Sequence, residues 1–84
     1  MITPQAELDL HQLTADEALV KLDQFLSDAY STGLTSVRII HGKGTGVLRQ
    51  VVREQAARHP LVKSFRIADP WEGGGGATIL ELVD

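Results

Sequence analysis

Two short stretches of this 84-residue chain carry residue types that do chemistry on phosphates. One is "ELDLH", residues 7–11, in which Asp9 stands two positions before His11. The other is "HGKGTG", residues 41–46, where His41 leads Gly42, Lys43, Gly44, Thr45 and Gly46, with Arg49 soon after. Imidazole gains or loses a proton near pH 7, so His11 and His41 on either side of a phosphodiester are a candidate general base and general acid. Asp9 is a candidate to orient the His11 imidazole, to activate water or to hold a divalent ion. Each also has a plainer reading: an exposed strand carboxylate for Asp9, a backbone hydrogen bond for either histidine. Glycines let a backbone approach an anion closely, and the N–H groups that open the following helix favour negative charge. Gly42, Lys43, Gly44, Thr45, Gly46 and Arg49 are therefore the candidate phosphate contacts, although Thr45 also suits a helix N-cap. The spacing is not that of a nucleotide P-loop, because no Gly-Lys-Ser/Thr follows a glycine after four spacers, and GxGxG differs from the dinucleotide GxGxxG.

These groups act together only if the surrounding elements bring them to one place. In residues 7–11 alternation turns Leu8 and Leu10 inward and leaves Asp9 and His11 on the other face of a strand. "TADE" reads as a capping box, Thr14 with Glu17, ahead of an apolar stripe of Ala18, Leu19, Leu22, Phe25, Leu26, Ala29 and Tyr30 at helical spacing, and Gly33 is the expected stop. "SVRII" is β-branched and too short for a helix, so it reads as a strand. A second helix follows over residues 47–58, with Leu48, Val51, Val52 and Gln55 on one side, and ends before Pro60, whose ring disfavours helical geometry at His59. Residues 62–68 and 77–83 alternate as two further strands, separated by "DPWEGGGG".

The order is βαβαββ. Strand, helix, strand implies a right-handed crossover and parallel pairing, which sets His11 and His41 at neighbouring carboxyl ends on one rim, where open α/β sheets bind ligands. Residues 73–76 read either as a mobile tip over that rim or as a flexible turn. Trp71 either stacks on a base or packs at the core edge. His59 is expected to be structural.

Composition narrows the function classes. The chain is one small domain, near the lower size limit for a single apolar core, and residues 7–84 are expected to form it, behind a linker or disordered tail over residues 1–6. The absence of cysteine excludes disulfides, thiolate zinc sites and thiol nucleophiles. No apolar run approaches the roughly 18 residues of a membrane span, and the N-terminus lacks signal-peptide features, so a soluble cytoplasmic domain is the expectation. No metal-ligand spacing stands out. The net charge of -3 argues against a generally basic nucleic-acid binder. Yet Arg38, Lys43, Arg49, Arg53, Arg58, Lys63 and Arg66, seven of the eight basic residues, fall in a segment whose one acid is Glu54. One basic side able to face phosphates is expected, with acids elsewhere.

Taken in order, "LDLH", "HGKGTGVLR", "HPLVKSFR" and "GGGGAT" resemble the Smr (small MutS-related) domain over nearly the whole chain. "IIHGKGTGVLR" is most similar to the form at the C-terminus of the bacterial recombination-suppressing second MutS paralogue. The resemblance implies an α/β two-layer sandwich, a four-stranded mixed sheet with two helices on one side. It also implies an endonuclease that nicks DNA with little sequence preference or cuts RNA. The settings it implies are recombination suppression or ribosome rescue, with DNA, RNA or the ribosome as partner and MutS-type ATPase domains in the parent chain.

The family's Leu-Asp-x-His motif falls on Leu8, Asp9 and His11, and its His-Gly-x-Gly motif on His41, Gly42 and Gly44. Mg2+ and Mn2+ are the candidate cofactors. Two departures stand out. Gln12 replaces the glycine that often follows the first motif and that would let the backbone approach a phosphate closely there, and many members of the paralogue carry arginine where His11 stands. The competing expectation is a non-catalytic module that grips branched DNA or ribosomal RNA.

Overall fold

A computed structural model describes residues 4–84. Strand β1 (Ala6–Asp9) leads into helix α1 (Ala15–Ser31), strand β2 (Ser36–Ile40), helix α2 (Val47–Arg58), strand β3 (Val62–Ile67) and strand β4 (Ala77–Leu82). The last two strands are joined by two 3₁₀ turns, Pro70–Glu72 and Gly74–Gly76. The sheet order is β1-β2-β4-β3. β1 and β2 are parallel, with Asp9 beside Ile40, and the other two pairings are antiparallel. The parallel neighbours expected from strand-helix-strand order are therefore present, and their carboxyl ends form one rim.

Local chemistry explains where α1 begins and ends. The Thr14 hydroxyl accepts from the Glu17 N–H at 3.2 Å while Glu17 accepts from the Thr14 N–H at 2.9 Å, satisfying donors the helix itself leaves free. At the other end Leu34 N–H reaches the Ala29 carbonyl and Gly33 N–H the Tyr30 carbonyl, with Gly33 at φ 82. That left-handed position is cheap only for glycine, so the helix stops here. In between, Ala18, Leu22, Leu26 and Ala29 form the buried stripe.

Both helices cover one face of the sheet. The α1 stripe and Val52 and Ala56 of α2 pack on Val37, Ile39, Leu80 and Leu82, alternate residues of the two central strands. Each large aliphatic side chain sealed in this layer stabilises the fold by about 1.5–3 kcal/mol. On the opposite face Ile40, Ala68, Ala77 and Ile79 form a smaller cluster. Beside it Arg38 pairs with Glu7, and Arg66 with Glu72.

Some expected boundaries shift. β1 ends at Asp9: Leu10 is buried as alternation expects and its N–H still reaches the Ile40 carbonyl, but His11 and Gln12 form a turn. β3 and β4 each stop one residue short of the expected span. Of the tail expected over residues 1–6, residues 1–3 lie outside the described residues. Gln5 donates its N–H to the Ser36 carbonyl and accepts from the Thr35 N–H, and Ala6 already belongs to β1. Thr45 is not the N-cap of α2; Gly46 holds that position at φ 88, without a side-chain cap. Residues 73–76 form a structured turn, and the Gly76 carbonyl accepts both the His41 and Gly42 N–H groups, at 3.0 and 2.9 Å. Trp71 does not pack at the core edge, since 73% of it is exposed.

Candidate active site

The rim of parallel carboxyl ends opens on a cleft of about 560 Å³ between the start of α1 and the start of α2. His11, His41, Gly42, Lys43, Gly44, Thr45, Gly46 and Arg49 all line it. Asp9 joins through His11. A methyl group built on Gly42 would stand 3.5 Å from the His11 β-carbon, so the two motifs touch at this point. Gly42 itself sits at φ 78, the left-handed region that admits glycine without strain.

Asp9 and His11 form one unit. The Asp9 carboxylate accepts from the His11 N–H at 3.0 Å and from the Nδ1 of the same residue's ring. These bonds hold the Asp9 carboxyl below the usual carboxylate range, the ring bond first, so it is ionised at neutral pH. A carboxylate acceptor at Nδ1 puts the proton there and leaves Nε2 as the basic nitrogen. Nε2 has no partner among the described residues, and the side chain is 52% exposed.

The environment of His41 is quite different. Only 4% of it is exposed, and both ring nitrogens are engaged: Nδ1 with the Gly42 carbonyl and Nε2 with the Thr78 hydroxyl, each at 2.9 Å. A carbonyl can only accept, so Nδ1 carries the proton and Nε2 accepts from Thr78. Burial pushes the His41 imidazole down; the Gly42 bond opposes this, and the Arg53 and Arg49 charges add to it. The neutral ring thus ties the loop to β4.

The loop beyond this clamp is equipped for an anion. The N–H groups of Lys43, Gly44, Thr45 and Gly46 have no acceptor among the described residues. The Arg49 guanidinium lies over Gly46, and a β-carbon there would come within 2.9 Å of it. Among the described residues neither Lys43 nor Arg49 has a carboxylate partner, and neither does Arg53. By contrast, Arg38 and Arg66 are paired on the opposite face of the sheet. Of the seven basic residues expected on one side, Arg38 and Arg66 are thus withdrawn by pairing on the other face, while Lys43, Arg49 and Arg53 gather near the start of α2.

Three contributors lay outside the expected set. Thr78 fixes His41, and Arg53, four residues after Arg49 and so one helical turn on, adds positive potential beside it. Gln12 lines the cleft at φ 74, so a non-glycine residue holds the left-handed turn that a glycine would adopt freely. His59 is structural: its Nε2 donates to Asp23 at 2.9 Å, and its Nδ1 accepts the Leu61 N–H. No group of three or more His, Asp or Glu side chains able to hold a metal occurs among the described residues. Among the described residues no carboxylate lines the cleft, and the adjoining Asp9 and Glu17 are already bonded to His11 and Thr14, so the donor set does not fit a protein-held Mg2+ or Mn2+.

Comparison with known proteins gives a consistent answer. The sequence model described as the Smr domain matches residues 8–83. The chain is 54% identical over 77 residues to the endonuclease MutS2 of Caldicellulosiruptor saccharolyticus, covering 92% of this chain and 10% of that protein. It thus spans about a tenth of the length of the curated relatives it matches. The crystal structure of the Smr domain of Thermus thermophilus MutS2 superposes with a TM-score of 0.91 at 48% identity, over 94% of this chain and 99% of that one. YdaL, a stand-alone small MutS-related protein from Escherichia coli, gives a TM-score of 0.90 at 31% identity, over 96% of this chain and 67% of that one. The mixed sheet, its two helices and the two motifs at their shared rim thus place this chain in the Smr domain family.

Proposed function

We propose that the domain is an endonuclease that cleaves phosphodiester bonds of DNA or RNA, with Asp9 and His11 at the reacting group and His41 acting through the loop it anchors. One observation carries this reading. An ordered carboxylate–imidazole pair opens onto the same cleft as four N–H groups and two cations that have no partner among the described residues.

The loop N–H groups, Lys43 and Arg49 bind the phosphate oxygens and stabilise the charge that builds on them as the bond to the attacking oxygen forms. Asp9 keeps the His11 proton on Nδ1. Nε2 then takes the proton of the attacking hydroxyl, which is water for either polymer or the 2′-hydroxyl for RNA. As the second phosphorus–oxygen bond breaks, the imidazolium returns a proton to the leaving oxygen. No step is assigned to Mg2+ or Mn2+. His41, sealed and neutral, is a positioning residue.

The two polymers correspond to two cytoplasmic settings for a MutS2-like parent with ATPase domains, recombination suppression on DNA and ribosome rescue on RNA. The identity of the cleaved polymer separates them.

A second reading has its own support. With His41 sequestered, a single proton-transfer group faces the cleft, which also suits a non-catalytic module that grips nucleic acid. The test is incubation of the chain and its His11→Ala variant with supercoiled plasmid and with structured RNA, with and without Mg2+ or Mn2+. Cleavage by the unaltered chain alone supports the nuclease. Binding by both without cleavage supports the grip. In either case Lys43→Ala and Arg49→Ala should each lower the salt dependence of binding by about 0.7–0.9 in logarithmic slope.

A further inference from the structure

We infer that the groove under Trp71 is a nucleobase subsite, which makes an unpaired nucleotide beside the bound phosphate the preferred ligand. This rests on the reading that the cleft holds a phosphodiester. The groove, of about 430 Å³, is lined by Gln5, Glu7, Arg38, Trp71 and Glu72 among others. Its indole is 73% exposed, yet the turn that carries it is tied down. The Glu72 carboxylate accepts from the Asp69 N–H at 3.1 Å and from Arg66 at 3.0 Å, and the Glu72 carbonyl accepts from Arg38 at 3.1 Å. A large aromatic carried on a fixed turn presents a stacking face to solvent.

The groove also adjoins the cleft. Glu7 of the groove and Asp9 lie on the same face of β1 two residues apart, and a β-carbon built on Gly76, at the end of the connection that carries Trp71, would stand 3.6 Å from the Lys43 side chain. What enters the groove is a base and not a phosphate, because the one cation in its lining, Arg38, is already paired with Glu7, and Glu72 adds a second carboxylate. Glu7 Oε1 has no partner among the described residues and can accept from an exocyclic amino group, favouring adenine or cytosine over uracil or thymine. A base inside a duplex is stacked on both faces by its neighbours and cannot lie on the indole, so the subsite selects unpaired positions.

Trp71 is the one tryptophan in the chain, so its emission reports on the groove directly. The experiment titrates the 84-residue chain with end-labelled oligoadenylate, oligouridylate, a duplex and an abasic sugar-phosphate oligomer of equal length, following label anisotropy and Trp71 emission together. Oligoadenylate should quench Trp71 and bind more tightly than oligouridylate, while the abasic oligomer binds without quenching. Trp71→Ala should lose about tenfold in affinity for oligoadenylate and nothing for the abasic oligomer, and Trp71→Phe should recover part of the loss. Binding of oligoadenylate with unchanged emission, equal quenching by the duplex, or full affinity in Trp71→Ala would overturn the subsite while leaving the phosphate cleft standing. No binding of any oligomer would overturn both.

Discussion

Removing the Thr78 hydroxyl tests whether His41 is a clamp. Thr78 is fully buried in β4, beside Ile39 and Ile67 in the sheet register, and its hydroxyl donates to His41 Nε2 at 2.9 Å. Thr78→Val keeps the volume and opens no cavity. It leaves the Nε2 of a ring that is 4% exposed without a donor, since water has no ready access there. An orphaned buried acceptor costs about 1–3 kcal/mol, and at about 2 kcal/mol the melting temperature of a domain this size falls by about 8–16 °C. Thermal melts followed by circular dichroism at pH 7.5 measure the shift. The double variant His41→Leu/Thr78→Val removes both partners, so its loss should be smaller than the sum of the single losses by about 1 kcal/mol or more. A Thr78→Val protein that melts with the parent, or strict additivity in the double variant, would refute the clamp.

Two further outcomes concern stability. Gln12→Gly relieves a left-handed conformation worth about 1–2 kcal/mol, against about 0.4–1 kcal/mol of added unfolded-state freedom, so a rise in denaturation midpoint is expected, and a fall would contradict the reading of φ 74 as strain. Burial lowers the His41 imidazole from its ordinary value of 6.5, so the native state binds this proton less readily than the unfolded state does. Its contribution is present above that value and lost as pH falls through the lower folded one. Urea midpoints should therefore drop on acidification, and His41→Leu should show a smaller drop.

Much of the architecture was legible from pattern alone. Period-2 and period-3.6 spacing marks the elements, "TADE" and Gly33 mark the ends of α1, and strand-helix-strand order brings His11 and His41 to one rim. The resemblance to Smr domains added the sheet composition and the assignment of the two motifs. What escaped the sequence depends on contacts between distant residues. No local signal says that β4 inserts between β2 and β3, which is what carries Thr78 to His41 and turns a candidate acid into a buried neutral ring. Nor does the segment's charge reveal that Arg38 and Arg66 are paired on the far face, because their partners Glu7 and Glu72 lie outside it. The early end of β1 follows from the turn at His11 and Gln12, where Gln12 takes φ 74 and the extended backbone stops even though Leu10 is buried as alternation predicts. Thr45 lost the cap to Gly46 because the chain enters α2 at a positive φ that threonine would resist.

The central claim is that His11 Nε2 takes the proton from the attacking oxygen. Its most direct test is the single-turnover cleavage rate of the chain and of His11→Ala on the polymer the unaltered chain cuts, with binding followed separately by anisotropy. A fall of about 10²–10⁴-fold in rate with affinity retained is the predicted result. Cleavage by His11→Ala at the parent rate would contradict the account, and so would a loss of cleavage confined to His41→Ala while His11→Ala still cuts.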